Sequence, residues 1–303
     1  MLILGLLEVS VSFDNAIVNA SILKRMNPFW QRMFLTVGIV IAVFGVRLIL
    51  PLLIVALSAG IGPIEVVQKA FAGGSAAQAG TYGYLLEQAH PVISAFGGTF
   101  LLMLVLDFFF ADRDIRWLGW IEAPLARIGK LRYLSIVVAT AVLIITAVSE
   151  GRTTSHVLLG GAAGIGLYVL VKGLGRLLKG VAGYSTKAGL FLFFYLQVLD
   201  ASFSLDGVIG AFAISNDIIL IAIGLGIGAV FIRSLTIMMV HRGTLGKFRF
   251  LEHGAHWAIA ALAFFMLIGI NVTVPGIVTG LTSTALITGA LVHSILVNKR
   301  EKP

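Results

Sequence analysis

The sequence has no cysteine. A disulfide framework and a thiolate metal site are both excluded, so any metal it meets must be held by oxygen or imidazole. Charge is scarce as well. Only 12% of the residues are Asp, Glu, Lys or Arg, about half of the ~25% usual in soluble domains. A phosphate-binding loop is missing too, because Gly243-Thr-Leu-Gly-Lys247 has the wrong spacing for the glycine-rich cradle and its lysine. The metalloprotease pattern His-Glu-x-x-His is absent, and no serine stands beside an evident base. No enzymatic activity and no prosthetic group are expected.

Apolar residues are what the sequence does have: 58% of the chain is hydrophobic, and the mean hydropathy is +1.01. They fall into nine segments, roughly 2–23, 33–57, 91–111, 134–149, 157–178, 188–213, 217–240, 255–274 and 276–297. A bilayer-spanning helix needs about 20 apolar residues, and the fourth segment is the shortest of the nine. Met1–Leu23 does not read as a signal peptide, since it lacks a basic start and carries Glu8 and Asp14 within its apolar stretch. The expected class is therefore all-α, a polytopic membrane protein of about nine transmembrane helices.

The net charge of +8 is unevenly placed. With the N-terminus outside, eighteen Lys and Arg fall in cytoplasmic segments, and only Lys69 and Arg152 fall outside. This is the bias of the positive-inside rule. It predicts a multi-pass protein of the plasma or inner membrane with a cytoplasmic C-terminus, whose partner is lipid rather than nucleic acid; homo-oligomers are compatible with it. The longest external segment, 58–90, is rich in Gly and Ala, with Ile64–Phe71 either a short interfacial helix or a surface loop.

The chain repeats itself. Glu8-Val-Ser10-Val-Ser12-Phe-Asp14-Asn15 in span 1 matches Asp200-Ala-Ser202-Phe-Ser204-Leu-Asp206-Gly207 in span 6 at identical spacing. In span 2 a glycine, Gly38, precedes Arg47 by nine positions, as Gly224 precedes Arg233 in span 7. More weakly, Leu86-Glu87 with His90 before span 3 matches Leu251-Glu252 with His256 before span 8, although both histidines also suit a capping or snorkelling role. Five spans separate matching helices, so the two units have opposite orientations, as in the inverted repeats of many secondary transporters. The expected layout is one membrane domain, 1–303. Repeat 1 is 1–111 (spans 1–3), 112–187 holds connecting spans 4–5, and 188–303 holds repeat 2 (spans 6–8) plus span 9.

The stretches Leu7-Glu-Val-Ser-Val-Ser-Phe-Asp-Asn-Ala16 and Leu199-Asp-Ala-Ser-Phe-Ser-Leu-Asp-Gly-Val208, with Phe-Ala-Ile-Ser215 following, resemble the TerC family of integral membrane proteins. Within it, the chain is most similar to the branch long catalogued as a domain of unknown function. The resemblance covers nearly the whole chain. It implies a link to tellurite resistance and, through some members, to manganese efflux. Related members carry a further apolar segment before the first motif, whereas here the motif begins at Glu8.

Glu8, Asp14, Arg47, Asp200, Asp206 and Arg233 all lie in apolar spans. A charge at a helix centre costs about 2.5–3.5 kcal/mol on insertion scales, so these residues must pair with one another or with ligands. Glu8, Ser12, Asn15 and Asn19 form one helical stripe, while Ser10 and Asp14 lie about 120° away. An ideal helix cannot aim both carboxylates of a motif at one ion. Either the helix breaks near Asn15 and Gly207 or the carboxylates serve different partners. The arrangement expected is Asp14 meeting Asp206 on the pseudo-twofold axis, with Glu8 and Asp200 flanking.

Four carboxylates against two arginines leave a formal charge of −2, which one divalent cation neutralises. Glu8, Asp14, Asn15, Asp200, Ser204 and Asp206 are the expected metal-binding residues, with Arg47, Arg233, Ser10, Ser12 and Ser202 as ion-pairing and coupling partners. Oxygen donors without thiolate suit Mn²⁺ or Ca²⁺ as the transported ion. Expelling a divalent ion against 100 mV costs about 4.6 kcal/mol, and buried carboxylates able to exchange a cation for protons supply a coupling. The alternatives are an exporter of another small solute and a membrane scaffold of a stress-resistance complex. The arginines are also able to act simply as internal bracing.

Overall fold

A computed structural model gives the fold. The described residues are 1–300, except Ser75, Arg132, 149–153, 179–185, Ala213 and Thr273. The side chains of Leu7, Val11, 175–178, 186–188, Leu205, Asp206 and Ile209 also lie outside the description. Several predicted basic loop residues, Arg132, Arg152, Lys179 and Lys302 among them, therefore fall outside it.

Among the described residues all regular structure is helical. The first helices are α1 (Leu2–Val11), α2 (Phe13–Leu23), α3 (Pro28–Leu35) and α4 (Val37–Val40). A π-helical stretch, Ile41–Ile49, joins α4 to α5 (Leu50–Ala59). Then come α6 (Pro63–Ala72), α7 (Tyr82–Phe109), α8 (Gly119–Ile128), α9 (Leu134–Val148) and α10 (Thr154–Leu178). The chain finishes with α11 (Thr186–Phe212), α12 (Ile218–His241), α13 (Thr244–Lys247), α14 (Leu251–Gly269) and α15 (Gly276–Arg300).

Six helical stretches are long and apolar enough to cross a bilayer: Pro28–Ala59, Tyr82–Phe109, Thr154–Leu174, Ile218–His241, Leu251–Gly269 and Gly276–Arg300. A seventh is added if Leu2–Ser10 and Phe13–Leu23, bent by 58°, count as one span. Of the remaining two predicted spans, one is α9, Leu134–Val148, a shorter apolar helix, and the other is α11, whose apolar stretch Gly189–Ser204 lies within the longer helix Thr186–Phe212. Fifteen residues rise only about 22 Å, less than the ~30 Å hydrocarbon core. The fold is thus an all-α, multi-pass membrane architecture with about six evident spans. The predicted segment Ile64–Phe71 is helical, within α6.

Local chemistry fixes the ends. Asn27 accepts from the Trp30 amide with Pro28 in the first turn, and Thr81 accepts from the Tyr84 amide. Asp217 accepts from the amides of Ile219 and Leu220. Such caps satisfy amides that have no partner inside their own helix. Gly60 closes α5 at φ +65°, a conformation costly for any residue with a Cβ.

α7 is central and packs against α10, α11 and α14. A Cβ added at Gly160 on α10 would come 2.7 Å from the Val92 carbonyl of α7, so only glycine admits this approach. Phe100, Leu101 and Ala263 are buried between them, while Phe44, Leu57, Ile145 and Leu281 face outward, as a lipid-facing surface requires. α1 lies along α12, where Gly5, Gly224 and Gly228 let the backbones close. Lys24 and Arg113 both reach Glu252 at one end of the bundle, hereafter the basic end.

Candidate functional site

The first motif is a broken helix. Ser10 donates to the Leu6 carbonyl at 2.7 Å, a back-bond that bends helices. The chain leaves helical geometry at Ser12 (φ −103°, ψ 12°). The predicted break near Asn15 therefore falls three residues earlier. This break makes Asp14 part of the first turn of α2, where amides lack partners and the helix dipole favours a carboxylate. Asp14 accepts from the Asn15 amide at 3.0 Å and is fully buried. The second motif differs. α11 runs unbroken from Thr186 to Phe212, although Ser202 makes the equivalent back-bond to Val198.

The arginines sit where the two motifs face each other. Arg47 lies in the π-helical stretch just ahead of Pro51, which has no amide to give the Arg47 carbonyl. Its guanidinium pairs with Glu8, reaches the Ala42 carbonyl at 3.0 Å and stands 3.9 Å from Asp200. Arg233 pairs with Asp200 at 2.7 Å and donates to Gln197 at 3.1 Å and to the Phe34 carbonyl at 3.0 Å. It also lies over the Phe34 ring and against the bare face of Gly38. Each motif's first acid is thus bound by the arginine of the following span, Glu8 by Arg47 and Asp200 by Arg233. The Arg47–Asp200 approach links the two pairs into one network. With two acids and two arginines it is formally neutral.

Several buried polar atoms of the two motifs lack hydrogen-bond partners, namely Glu8 Oε2, Asp14 Oδ2, Asn15 Oδ1, Ser204 Oγ and both side-chain polar atoms of Asn19, and so do the donors Arg47 Nε, Arg233 Nε and Gln197 Nε2 of the network itself. Ser12 is occupied, donating to Glu8 Oε1 at 3.0 Å. Glu8 Oε2 faces span 6, since a Cβ at Gly207 would sit 3.1 Å from it. Ser10 is exposed and stands outside this region. Ser202 is buried, with its hydroxyl on a carbonyl of its own helix. The Asp206 side chain lies outside the described residues, and with it the expected Asp14–Asp206 meeting. Among the described residues, no three His, Asp or Glu side chains stand together as a metal-holding group.

Gln197 is the network member that the sequence reading missed. It precedes Asp200 by three positions on span 6, the helical spacing that puts both on one face. Two further polar clusters lie elsewhere. Asp107 accepts from Ser135 and Tyr168 at 2.7 Å each and pairs with Lys172, tying α7 to α9 and α10. Glu122 on α8 accepts from the amides of Trp117 and Leu118 and from the Trp257 indole at 3.0 Å, and it lies 2.9 Å from His253 Nδ1. Burial pushes its carboxyl up, but His253 and Trp257 beside it outweigh this and hold it below the usual carboxylate range.

The family described as "Protein of unknown function (DUF475)" matches residues 13–301, from the second half of the broken helix almost to the C-terminus. The chain belongs to the DUF475 family. No curated protein and no solved structure matches it. The family match takes in both acids of the second motif and both arginines, while Glu8 lies just before its first matched residue.

Proposed function

We propose that this DUF475 protein is a secondary transporter that exports a divalent metal cation, with Mn²⁺ favoured and Ca²⁺ also suited, in exchange for protons. The observation that carries the proposal is the set of buried motif oxygens that lack partners and stand outside the arginine pairs: Asp14 Oδ2, Asn15 Oδ1, Asn19 Oδ1 and Ser204 Oγ. Buried polar atoms ordinarily have a partner, and an unseen ion is one recognised reason for the exceptions. Hard oxygens are the donors that Mn²⁺ and Ca²⁺ prefer. The break at Ser12 supports the reading, because discontinuous helices commonly form transporter ion sites. The resemblance to TerC proteins points the same way, as does the duplicated acidic motif, which a scaffold does not need. We place the protein in the cell membrane, N-terminus outside, with two inverted repeats among about nine spans.

For Glu8, Asp200, Arg47 and Arg233 a second reading is favoured by their neutral network: they brace the two repeats and do not ligate the ion. Metal flux into proteoliposomes separates the roles. Asp14→Asn keeps shape and removes a carboxylate charge, and it should abolish Mn²⁺ flux while leaving folded yield unchanged. Wild-type flux in that variant would remove Asp14 from the site and leave the transport proposal without its centre.

A further inference from the structure

At the end of the bundle opposite the basic end, a cavity of about 450 Å³ opens between α7, α11, α14 and the start of α15. Glu87 and His90 of α7 line one wall, and Gly210 of α11 lines another. Glu87 and His90 are three residues apart on a helix, so they are surface neighbours. Pro91 follows immediately and has no amide to offer the Glu87 carbonyl, which a helical residue at that position would otherwise bond. One short stretch thus presents a carboxylate, a carbonyl released from the helix ladder and an imidazole, whose Nε2 shares a hydrogen bond with Ser94 at 3.2 Å. Gly210 lies one helical turn beyond Asp206 on α11, so the cavity reaches to within about 6 Å, measured along the axis, of the second motif.

The matching sequence at the basic end is closed. Glu252, counterpart of Glu87, is held by Lys24 at 3.9 Å and Arg113 at 4.0 Å. The His256 ring stacks on Phe108 with centroids 3.4 Å apart, and its Nδ1 meets the Glu252 carbonyl at 2.7 Å. The same Leu-Glu…His pattern therefore borders an open cavity at one end and a packed, ion-paired layer at the other.

We propose that Glu87 and His90 form an outer binding site for a hydrated divalent cation, at the mouth of the path leading to the second motif. Two side chains and one carbonyl leave most of the coordination shell to water, as suits an ion in transit. The path rests on the transport reading above; the binding site itself does not.

The absence of native cysteine makes a direct test possible. A Cβ at Gly210 meets nothing within 4 Å, so Gly210→Cys fits the fold. In oriented vesicles this thiol should react with a membrane-impermeant maleimide added on the side of the 62–81 segment. Millimolar Mn²⁺ should slow the reaction severalfold, and Glu87→Gln or His90→Gln should abolish the slowing, whereas His256→Gln should preserve it. An unreactive thiol, or slowing that persists in both variants or is absent from the parent, overturns the site. Protection without Mn²⁺ flux would keep the site and remove the transport reading; flux without protection would do the reverse.

Discussion

At the scale of single residues, the arginines decide whether the two motifs coexist in an apolar bundle. Arg47 and Arg233 are almost fully buried, each against an acid. Removing one member of such a pair leaves an uncompensated charge and costs about 3–5 kcal/mol, against roughly 0–1 kcal/mol for an exposed pair. Arg116, paired with Asp112 on the surface, is the natural control. Arg47→Ala and Arg233→Ala should each sharply reduce the yield of monodisperse protein in detergent, and Arg116→Ala should not. Pairing Arg47→Met with Glu8→Gln should recover part of the loss, because the orphaned charge is gone. Equal yields across the series would show that the network does not hold the fold. The need for these pairs was legible from the sequence, since each charge lay inside an apolar run. Which acid meets which arginine was not, because that depends on how spans distant in sequence approach.

Among the helices, contact between the repeats depends on bare faces. A Cβ at Gly228 would lie 2.5 Å from Glu8 Cβ and 2.6 Å from its Cγ, so α1 must move if glycine is replaced. Gly228→Ala should lower the melting temperature and loosen the Glu8–Arg47 pair, while Gly246→Ala, with open space around it, should be neutral. A Gly224-x-x-x-Gly228 pattern suits close helix contact, and α1 is the helix that uses it. The break at Ser12 was only half legible. Helical geometry left two alternatives, a break near Asn15 and Gly207 or carboxylates with different partners, and the position of the break at Ser12 goes with the Ser10 back-bond. In α11, which is continuous past Gly207, the other alternative applies.

The short helix α8 offers a pH test of another kind. Glu122 ties it to α14 through His253 and Trp257, and its carboxyl is held below the usual range. A carboxyl whose pKa is lowered by folding stabilises the native state above its unfolded value, about 4.3, and loses that contribution as pH falls through the lower folded value. Glu122→Gln should therefore melt earlier than the parent at pH 7, with the gap closing as the pH drops below about 4. A gap of constant size from neutral to acid pH would mean that the hydrogen-bonded shape, not the charge, is what Glu122 contributes.

For the whole molecule, hydropathy and repeat spacing conveyed the all-helical, multi-pass class because lipid forces every backbone group into internal hydrogen bonds. They did not reveal that Glu8 and Asp200 are committed to arginines while Asp14 keeps an unpartnered oxygen. That division sharpens the expected coupling. If the transported ion is held by Asp14 and neighbouring neutral oxygens, protons compete with metal chiefly at carboxylates outside the arginine network. Metal ligands must be deprotonated, so lowering the pH on the side from which metal enters should slow flux, and lowering it on the opposite side should accelerate it by driving the exchange. Imposing the two gradients in turn on proteoliposomes loaded with a Mn²⁺-sensitive dye reads both effects. Asp14→Asn should remove both responses together with flux. Glu122→Gln, far from the motifs in the chain, should leave them unchanged. Flux that ignored both gradients would remove proton exchange from the proposed mechanism, and uniport down the electrochemical gradient would then be the better description.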